Sequence, residues 1–131
     1  MLTADDYREL ILDAARNRQN WGLLIPADFD HAEHNPVCGD HLHLTLRVRD
    51  RVITEVGWEG DGCAISQASA SLLGEKIKGM RLSDALALTR DNILEMIGLP
   101  LMPTRQKCAL LSLKTLIIGA SDRDAWEKIE G

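Results

Sequence analysis

The chain is poor in aromatic residues and has neither a long apolar run nor a run of basic residues. Aromatic residues make up 4% of its 131 residues and apolar residues 45%, so its core must consist mainly of Leu, Ile, Val and Ala. No apolar run approaches the roughly 18 residues that a membrane-spanning helix needs. The net charge is -5 and the basic residues are scattered, which argues against a nucleic-acid partner.

The start of the chain lacks a basic segment followed by an apolar stretch, so we find no secretory signal in it. We therefore expect a cytoplasmic protein with no membrane partner. The length fits a single domain over residues 1–131. There are only three cysteines, an odd number that cannot pair fully. In a reducing compartment such cysteines pack in the core, act as nucleophiles or bind metal.

The N-terminal half predicts one helix followed by strands. Thr3 and Asp6 have the spacing of a capping box, and apolar residues at helical spacing behind them predict a helix over about 4–17. A short strand is expected near Phe29. Residues 41–49 alternate between apolar and polar, and residues 52–59 alternate through Val52, Thr54, Val56 and Trp58. A turn at residues 50–51 would join these two runs into an antiparallel hairpin.

The C-terminal half is helical in pattern. The period changes after Cys63, and a helix is expected to continue to Gly79. Ser83 and Thr89 are expected to cap two short helices, the second ending at Gly98. Residues 99–103 should form a loop, a further helix should end at Gly119, and Ser121 should open a terminal helix. The predicted fold class is α+β, with about three antiparallel strands and helices packed on one face of the sheet.

Each cysteine lies in a sequence context that permits chemistry. Cys38 and Asp40 flank Gly39, whose freedom lets both side chains converge on one metal ion, although an incidental loop cysteine is the simpler interpretation. Cys63 falls where a strand meets a helix, so it is either a thiolate stabilised by the helix N-terminus or a small buried residue. Three thiolates and one carboxylate could hold zinc, hold iron and sulfide, or carry sulfur.

Cys108 follows Lys107 and lies near Arg105, two cations that would favour a nucleophilic thiolate. The alternative is a core helix cysteine beside solvated charges. The four histidines cluster in sequence, at positions 31, 34, 41 and 43. We expect His31 and His34 to be solvated in a loop, and His41 and His43 to lie on the polar face of a strand, rather than to bind metal.

Taken together, four segments resemble the SufU/IscU family, which is NifU N-terminal-like, of iron–sulfur cluster assembly proteins. They are residues 7–13 (YRELILD), 35–40 (NPVCGD), 59–71 (EGDGCAISQASAS) and 105–110 (RQKCAL). The resemblance covers nearly the whole chain. It implies that one zinc ion or a nascent cluster would be bound by four ligands, namely Cys38, Asp40, Cys63 and Cys108.

Two branches of that family differ at the residue before the third cysteine. The scaffold branch, IscU, has a histidine there, whereas this chain has Lys107, as SufU does; residues 60–63 are also closer to SufU. The resemblance to SufU implies a structural and regulatory zinc, with Arg105 assisting ligand exchange. However, the segment from Met80 to Lys107 lacks the insertion usual in SufU. Residues 99–103 match only the start of the scaffold's chaperone motif, so we expect no dedicated chaperone of the Hsp70 type.

The sequence therefore predicts a zinc-bound acceptor of persulfide sulfur, with a SufS-like cysteine desulfurase as its partner. Cys38 is the predicted acceptor, because it lies on a loop beside an exchangeable carboxylate. The alternative is a scaffold on which a transient [2Fe-2S] cluster is built and passed to apo iron–sulfur proteins or other Suf components. A zinc-stabilised adaptor without sulfur chemistry is a third interpretation. In none of these roles is the protein a stand-alone enzyme.

Overall fold

The computed structural model describes residues 2–36 and 39–130, with Glu130 described by its backbone alone. Within these ranges the chain forms three strands and six helices. Their bounds are α1 Ala4–Arg16, β1 Phe29–His34, β2 His41–Arg49, β3 Val52–Asp61, α2 Ala64–Ile77, α3 Leu82–Leu86, α4 Arg90–Ile97, α5 Pro103–Ala120 and α6 Arg123–Glu130.

The sheet is antiparallel throughout, in the order β1-β2-β3. Its inner face packs against helices, α5 against β1 and β2, and α2 against β3. Leu42, Leu44 and Leu46 of β2 point into this interface and are fully or nearly buried. The α+β class and the placement of helices on one face of the sheet are confirmed.

Helix starts follow the local sequence closely. The Thr3 hydroxyl accepts a hydrogen bond from the Asp6 amide, and the Asp6 carboxylate accepts one from the Thr3 amide. These bonds from Thr3 lower the pKa of Asp6. Thr89 forms the same kind of box with Asn92, and Gly98 ends α4 in the left-handed conformation. All three predictions are confirmed.

Other predicted boundaries and positions were wrong. His31 and His34 lie in β1, not in a loop, because Phe29–His34 pairs with β2 along its full length. Ser83 lies inside α3, which begins after Arg81. α6 begins at Arg123, where the Asp122 carboxylate accepts a hydrogen bond from the Ala125 amide; Ser121 instead caps the end of α5.

The hairpin between β2 and β3 contains a bulge that the alternation of the sequence does not reveal. Asp50 and Arg51 form its two-residue turn, both with positive φ. Arg47 pairs with Glu55 while Val48 pairs with Ile53, so Thr54 is an extra residue on β3. Its hydroxyl donates to the Arg47 carbonyl at 3.1 Å. Ile53 is therefore buried and Thr54 exposed, which reverses the predicted face for this part of the strand.

The outer face of the sheet, which carries the polar residue Thr45, is partly covered by the segment that follows α1. Residues 20–22 pair with Trp58, and the next residues cross the sheet. Thr45 is completely buried there: its hydroxyl donates to the Gly57 carbonyl at 2.8 Å and accepts from the Leu24 amide at 3.0 Å. Burial of this threonine is tolerated because both roles of its hydroxyl are satisfied.

Across the part of the chain that the structure describes, no helix is both long and apolar enough to cross a membrane.

Candidate metal centre

Asp40, Cys63 and Cys108 come together where the sheet meets two helices. One ligand atom from each residue, a carboxylate oxygen and two thiol sulfurs, lies within 4.8 Å of the others. Asp40 and Cys108 are buried and Cys63 is half-buried. Asp40 immediately precedes β2, Cys63 immediately precedes α2, and Cys108 lies in the second turn of α5. Three separate elements thus meet at one point, and this is the only such group of ligating residues found in the described ranges.

Cys63 is the N-cap residue of α2, with extended backbone angles and no hydrogen bond from its side chain to a capping amide. Its sulfur is therefore left to face the site rather than to cap the helix. The amide of Cys63 donates to Oδ1 of Asp40 at 3.3 Å. The positive end of the helix dipole favours negative charge at this position, so the helix N-terminus suits both a thiolate and the carboxylate.

Ser66 connects the candidate ligands and was missed by the sequence analysis. Its hydroxyl lies 2.5 Å from Oδ2 of Asp40, 3.3 Å from the carbonyl oxygen of Cys108 and 3.7 Å from the sulfur of Cys63. Ser66 is completely buried. The signal was available, since Ser66 is three residues after Cys63 and so lies on the same side of the helix start.

Gly62 makes room for Asp40. A Cβ atom on Gly62 would lie 2.6 Å from Cγ and 2.9 Å from Oδ1 of Asp40. Such contacts are far inside van der Waals distance, so a side chain at this position would displace the carboxylate. Glycine is therefore required here by the close approach of a ligand.

Cys38, the fourth predicted ligand, lies outside the described residues. The chain on either side of it is closed into a tight hairpin. The Asn35 amide donates to the Asp40 carbonyl and the Gly39 amide donates to the Asn35 carbonyl, both at 2.8 Å. Gly39 has a φ of +74°, in the left-handed region. This hairpin fixes the position of Asp40 at the base of the loop.

The donor set fits a tetrahedral metal ion. Zinc bound by thiolates at about 2.3 Å and a carboxylate at about 2.0 Å requires its ligand atoms to be roughly 3.5–3.8 Å apart. The spacing of up to 4.8 Å is therefore closed by small side-chain rotations. Ser66 and the Cys63 amide both bond to the Asp40 carboxylate, which has about four acceptor sites in all and is a ligand type that zinc accepts.

Arg105 and Lys107 are both exposed residues of α5. Arg105 is three positions before Cys108, so it lies on the same side of the helix as the buried thiol. Lys107 lines a cavity together with Asn35 and Pro36, which precede Cys38 in the sequence. Both cations thus lie near the candidate metal centre. Arg105 is about one helical turn before Cys108, and Lys107 is beside Asn35 and Pro36.

The histidines do not join the group of candidate ligands within the described residues. His43 forms a 2.5 Å contact with Asp30 across the sheet, and His31 contacts Glu33 at 2.8 Å. His34 and His41 are exposed. His41 and His43 lie on β2, as predicted, whereas His31 is half-buried rather than solvated.

The chain matches the family described as the NifU-like N terminal domain over residues 6–128. That range includes all three gathered ligands and the loop with Cys38. The chain belongs to this family. The resemblance found in the four sequence segments is therefore confirmed.

Some relatives of this chain are named as a sulfurtransferase and others as a scaffold for cluster assembly. The chain is 32% identical to the zinc-dependent sulfurtransferase SufU of Bacillus subtilis over 138 residues, covering 90% of this chain and 91% of SufU. It is 36% identical to the iron–sulfur cluster assembly scaffold protein IscU of Thermotoga maritima over 126 residues, covering 84% of this chain and 89% of IscU. Among solved structures, the SUF-system protein FiSufU of Fervidobacterium islandicum is similar, with a TM-score of 0.73 and 29% identity over 85% of this chain and 93% of FiSufU.

Proposed function

We propose that this member of the NifU-like N-terminal domain family works in iron–sulfur cluster assembly, binds zinc and accepts persulfide sulfur from a cysteine desulfurase. Four residues would hold the metal, namely Cys38, Asp40, Cys63 and Cys108. The observation that carries the proposal is the convergence of Asp40, Cys63 and Cys108 within 4.8 Å. The kinship with a zinc-dependent sulfurtransferase supports zinc as the resident metal.

The resting state is a closed site of four ligands. Bound zinc would keep the three thiols ionised and hold three separate elements together. Asp40 is the ligand that exchanges most easily, because a carboxylate is a weaker partner than a thiolate for a metal in a soft site. Ser66 and the Cys63 amide can retain the carboxylate after it leaves the metal, since both already bond to it.

Cys38 is the proposed acceptor. Its thiolate attacks the outer sulfur of the desulfurase persulfide, so that a new S–S bond forms on Cys38 and the old S–S bond breaks. The desulfurase cysteine leaves as a thiolate, and the transferred outer sulfur keeps its proton. Cys63 and Cys108 are anchored on helices, whereas residue 38 lies in the connection between β1 and β2. We therefore assign the acceptor role to the cysteine on the loop.

Arg105 is the proposed partner for Asp40 while Cys38 carries sulfur. A guanidinium can bind a carboxylate through two parallel hydrogen bonds, which an ammonium cannot do. Arg105 is exposed, so it is available to move. It shares a side of α5 with Cys108 and therefore lies within reach of the site. Arg105 acts in this account by positioning Asp40, while Cys38 makes and breaks bonds.

Metal analysis of the purified protein tests the proposal. Protein prepared without chelator should contain about one zinc per chain, as expected of a closed four-ligand site. Replacing any one of the three cysteines by alanine should lower zinc affinity and lower the melting temperature in parallel, because metal-binding free energy is also folding free energy. Lys78→Gln, an exposed change just after the end of α2, serves as the control. Preparations with neither zinc nor iron would contradict the proposal.

A scaffold function is the second candidate, and one observation favours it. The alignment with SufU runs over 138 residues, more than the 131 of this chain, so part of SufU has no counterpart here. The shorter connection between Cys63 and Cys108 is the length expected of a scaffold. A [2Fe-2S] cluster would then be cargo on the same ligands, to be passed to apo iron–sulfur proteins or other Suf components.

The Asp40→Ala variant separates the two candidates. If the protein is a scaffold, removing an exchangeable ligand should lengthen the life of a cluster formed from iron and sulfide under anaerobic conditions. If it is a sulfur acceptor, the variant should hold no long-lived cluster. The decay of visible absorbance measures the difference. The cytoplasmic location and the SufS-like nature of the desulfurase remain predictions.

A further inference from the structure

A cavity of about 150 Å³ lies beside Asn35 and Pro36, shortly before Cys38 in the sequence. It is bounded by these two residues, by one side of α5 and by α6. Its walls are Asn35, Pro36, Lys107, Leu110, Leu111, Lys114 and Trp126. None of the three gathered metal ligands is among its described lining residues. A space of this volume can hold a ligand of about six heavy atoms.

One stripe of α5 forms the floor of the cavity. Lys107, Leu110, Leu111 and Lys114 recur at positions i, i+3, i+4 and i+7, which all lie on one side of a helix. The two lysines stand at opposite ends, roughly 10 Å apart along the helix axis, with the leucines between them. The floor is therefore apolar in the middle and cationic at both ends.

The two lysines are not equally available. The Nζ atom of Lys114 lies 4.0 Å from the buried carboxylate of Glu33, which also accepts a hydrogen bond from Arg123. Lys107 is exposed and forms no ion pair with any residue of the described ranges. Lys107 is thus the cation whose charge the fold leaves uncompensated at this cavity.

Trp126 forms part of the cavity wall and is 4% exposed. Its indole N–H has almost no accessible surface, so the N–H itself does not face the cavity. Because the indole ring lines the cavity, Trp126 reports the binding of a molecule there without donating a hydrogen bond to it.

We propose that this cavity binds a monocarboxylate with a short apolar stem. One available cation matches one negative charge, and the apolar surfaces of Pro36, Leu110 and Leu111 match a stem that inorganic oxyanions lack. A carboxylate accepts hydrogen bonds from an ammonium. The ligand is either a free small carboxylate or the glutamate side chain of a partner protein. The proposal concerns binding alone and holds whether or not Cys38 accepts sulfur.

Nuclear magnetic resonance of the indole N–H groups tests the proposal on the full-length protein with its metal as purified. Butyrate has the required stem and charge, and butyramide is its neutral counterpart. Titration with butyrate should shift the Trp126 indole resonance in a saturable way, while butyramide should bind at least about tenfold more weakly. The indole of Trp58, which is also buried without a partner among the described residues but packs against Gly74 of α2, is the internal reference and should not shift.

Variants then locate the charge that is recognised. Lys107→Gln should weaken butyrate binding at least about fivefold, a loss in the range of one charge-assisted interaction, whereas Lys78→Gln should leave it unchanged. Lys107 is exposed, so its replacement should not alter the melting temperature. Blocked glutamate, compared with blocked glutamine, distinguishes the sources. Binding of blocked glutamate as tight as that of butyrate indicates a partner side chain, and much weaker binding indicates a free carboxylate.

The proposal is overturned if butyrate produces no saturable shift at Trp126. It is equally overturned if butyramide binds as well as butyrate, or if Lys107→Gln and Lys78→Gln behave alike. A response of Trp58 equal to that of Trp126 would show a general effect of the added salt, and would also reject the site.

Discussion

The hydroxyl of Ser66 donates a hydrogen bond of 2.5 Å to Oδ2 of Asp40. This bond joins the first turn of α2 to the residue that immediately precedes β2, and both partners are buried. The same hydroxyl is 3.3 Å from the Cys108 carbonyl. The partner that orients a metal ligand is commonly as important as the ligand itself, so Ser66 is expected to control the candidate metal centre without binding the metal.

Ser66→Ala should lower zinc affinity about tenfold, the lower end of the effect of losing a residue that orients a ligand. The reason is that Asp40 loses its hydrogen bond from Ser66 and can leave the orientation that faces the cysteines. Competition with a coloured zinc chelator measures the change. Ser112→Ala is the matched control, because Ser112 is a buried serine that bonds to Ser69 rather than to a ligand. Equal zinc affinities for the two variants would contradict this role of Ser66.

Gly62→Ala should weaken zinc binding because its Cβ would lie 2.6 Å from Cγ of Asp40. Either the carboxylate or the strand end must move, at a cost of about 1–3 kcal/mol. Gly79→Ala is the control. Gly79 has a φ of +90°, and a Cβ atom on it would meet no atom of the described residues within 4 Å, so that variant should lose stability without losing zinc affinity. Chemical unfolding and zinc competition, run on both variants, separate the two effects.

Much of the fold could be predicted because the local sequence and the final structure agree. The alternation from His41 to Arg49 predicted β2 with its observed bounds, and Thr3 and Thr89 cap α1 and α4 as their sequence context suggests. What could not be predicted depends on contacts between distant segments. Thr45 has the pattern of a polar surface residue, yet it is buried because the segment around Leu24 crosses the sheet above it.

For the candidate site, the sequence placed Asp40, Cys63 and Cys108 in one set of ligands, and the structure brings these three residues together. Their binding of metal stays a prediction, and Cys38 lies outside the described residues. Ser66 was missed although its position three residues after Cys63 places it on the same side of the helix start, because its bonds to Asp40 and Cys108 join segments that are distant in the sequence. Glu33 was missed for another reason: a charged residue in a strand predicts exposure, and only the approach of α5 and α6 gives it cationic partners.

Glu33→Gln should destabilise the fold by about 1–3 kcal/mol. The Glu33 carboxylate belongs to a residue that is 6% exposed, and it contacts His31 and Arg123 at 2.8 Å and Lys114 at 4.0 Å. A neutral amide would leave Arg123 and Lys114 without their counter-charge. Because Arg123 and His31 remain partly hydrated, the loss should fall below that of a fully buried pair. Glu55→Gln, which breaks an exposed pair with Arg47, should cost less than about 1 kcal/mol. Equal losses in urea unfolding would contradict the assignment.

The Arg105→Ala variant should bind zinc as tightly as the unchanged protein. The increase in desulfurase turnover that it causes should be at least about tenfold smaller, which corresponds to the loss of one charge-assisted hydrogen bond. Arg105→Lys should restore only part of the effect, since an ammonium lacks the planar fork. Arg49→Ala, an exposed arginine at the end of β2, is the control. Full activation by Arg105→Ala would remove Arg105 from the account and favour the scaffold function.

The central claim is that Cys38 accepts sulfur, and mass spectrometry of each cysteine tests it most directly. The zinc-loaded protein is incubated with a cysteine desulfurase and cysteine, then digested, and the sulfur added to each cysteine is measured. We predict added sulfur on Cys38. We also predict that Cys38→Ala still binds the desulfurase but no longer accepts sulfur or raises desulfurase turnover. Sulfur found on Cys108 instead, or unchanged turnover with Cys38→Ala, would contradict it.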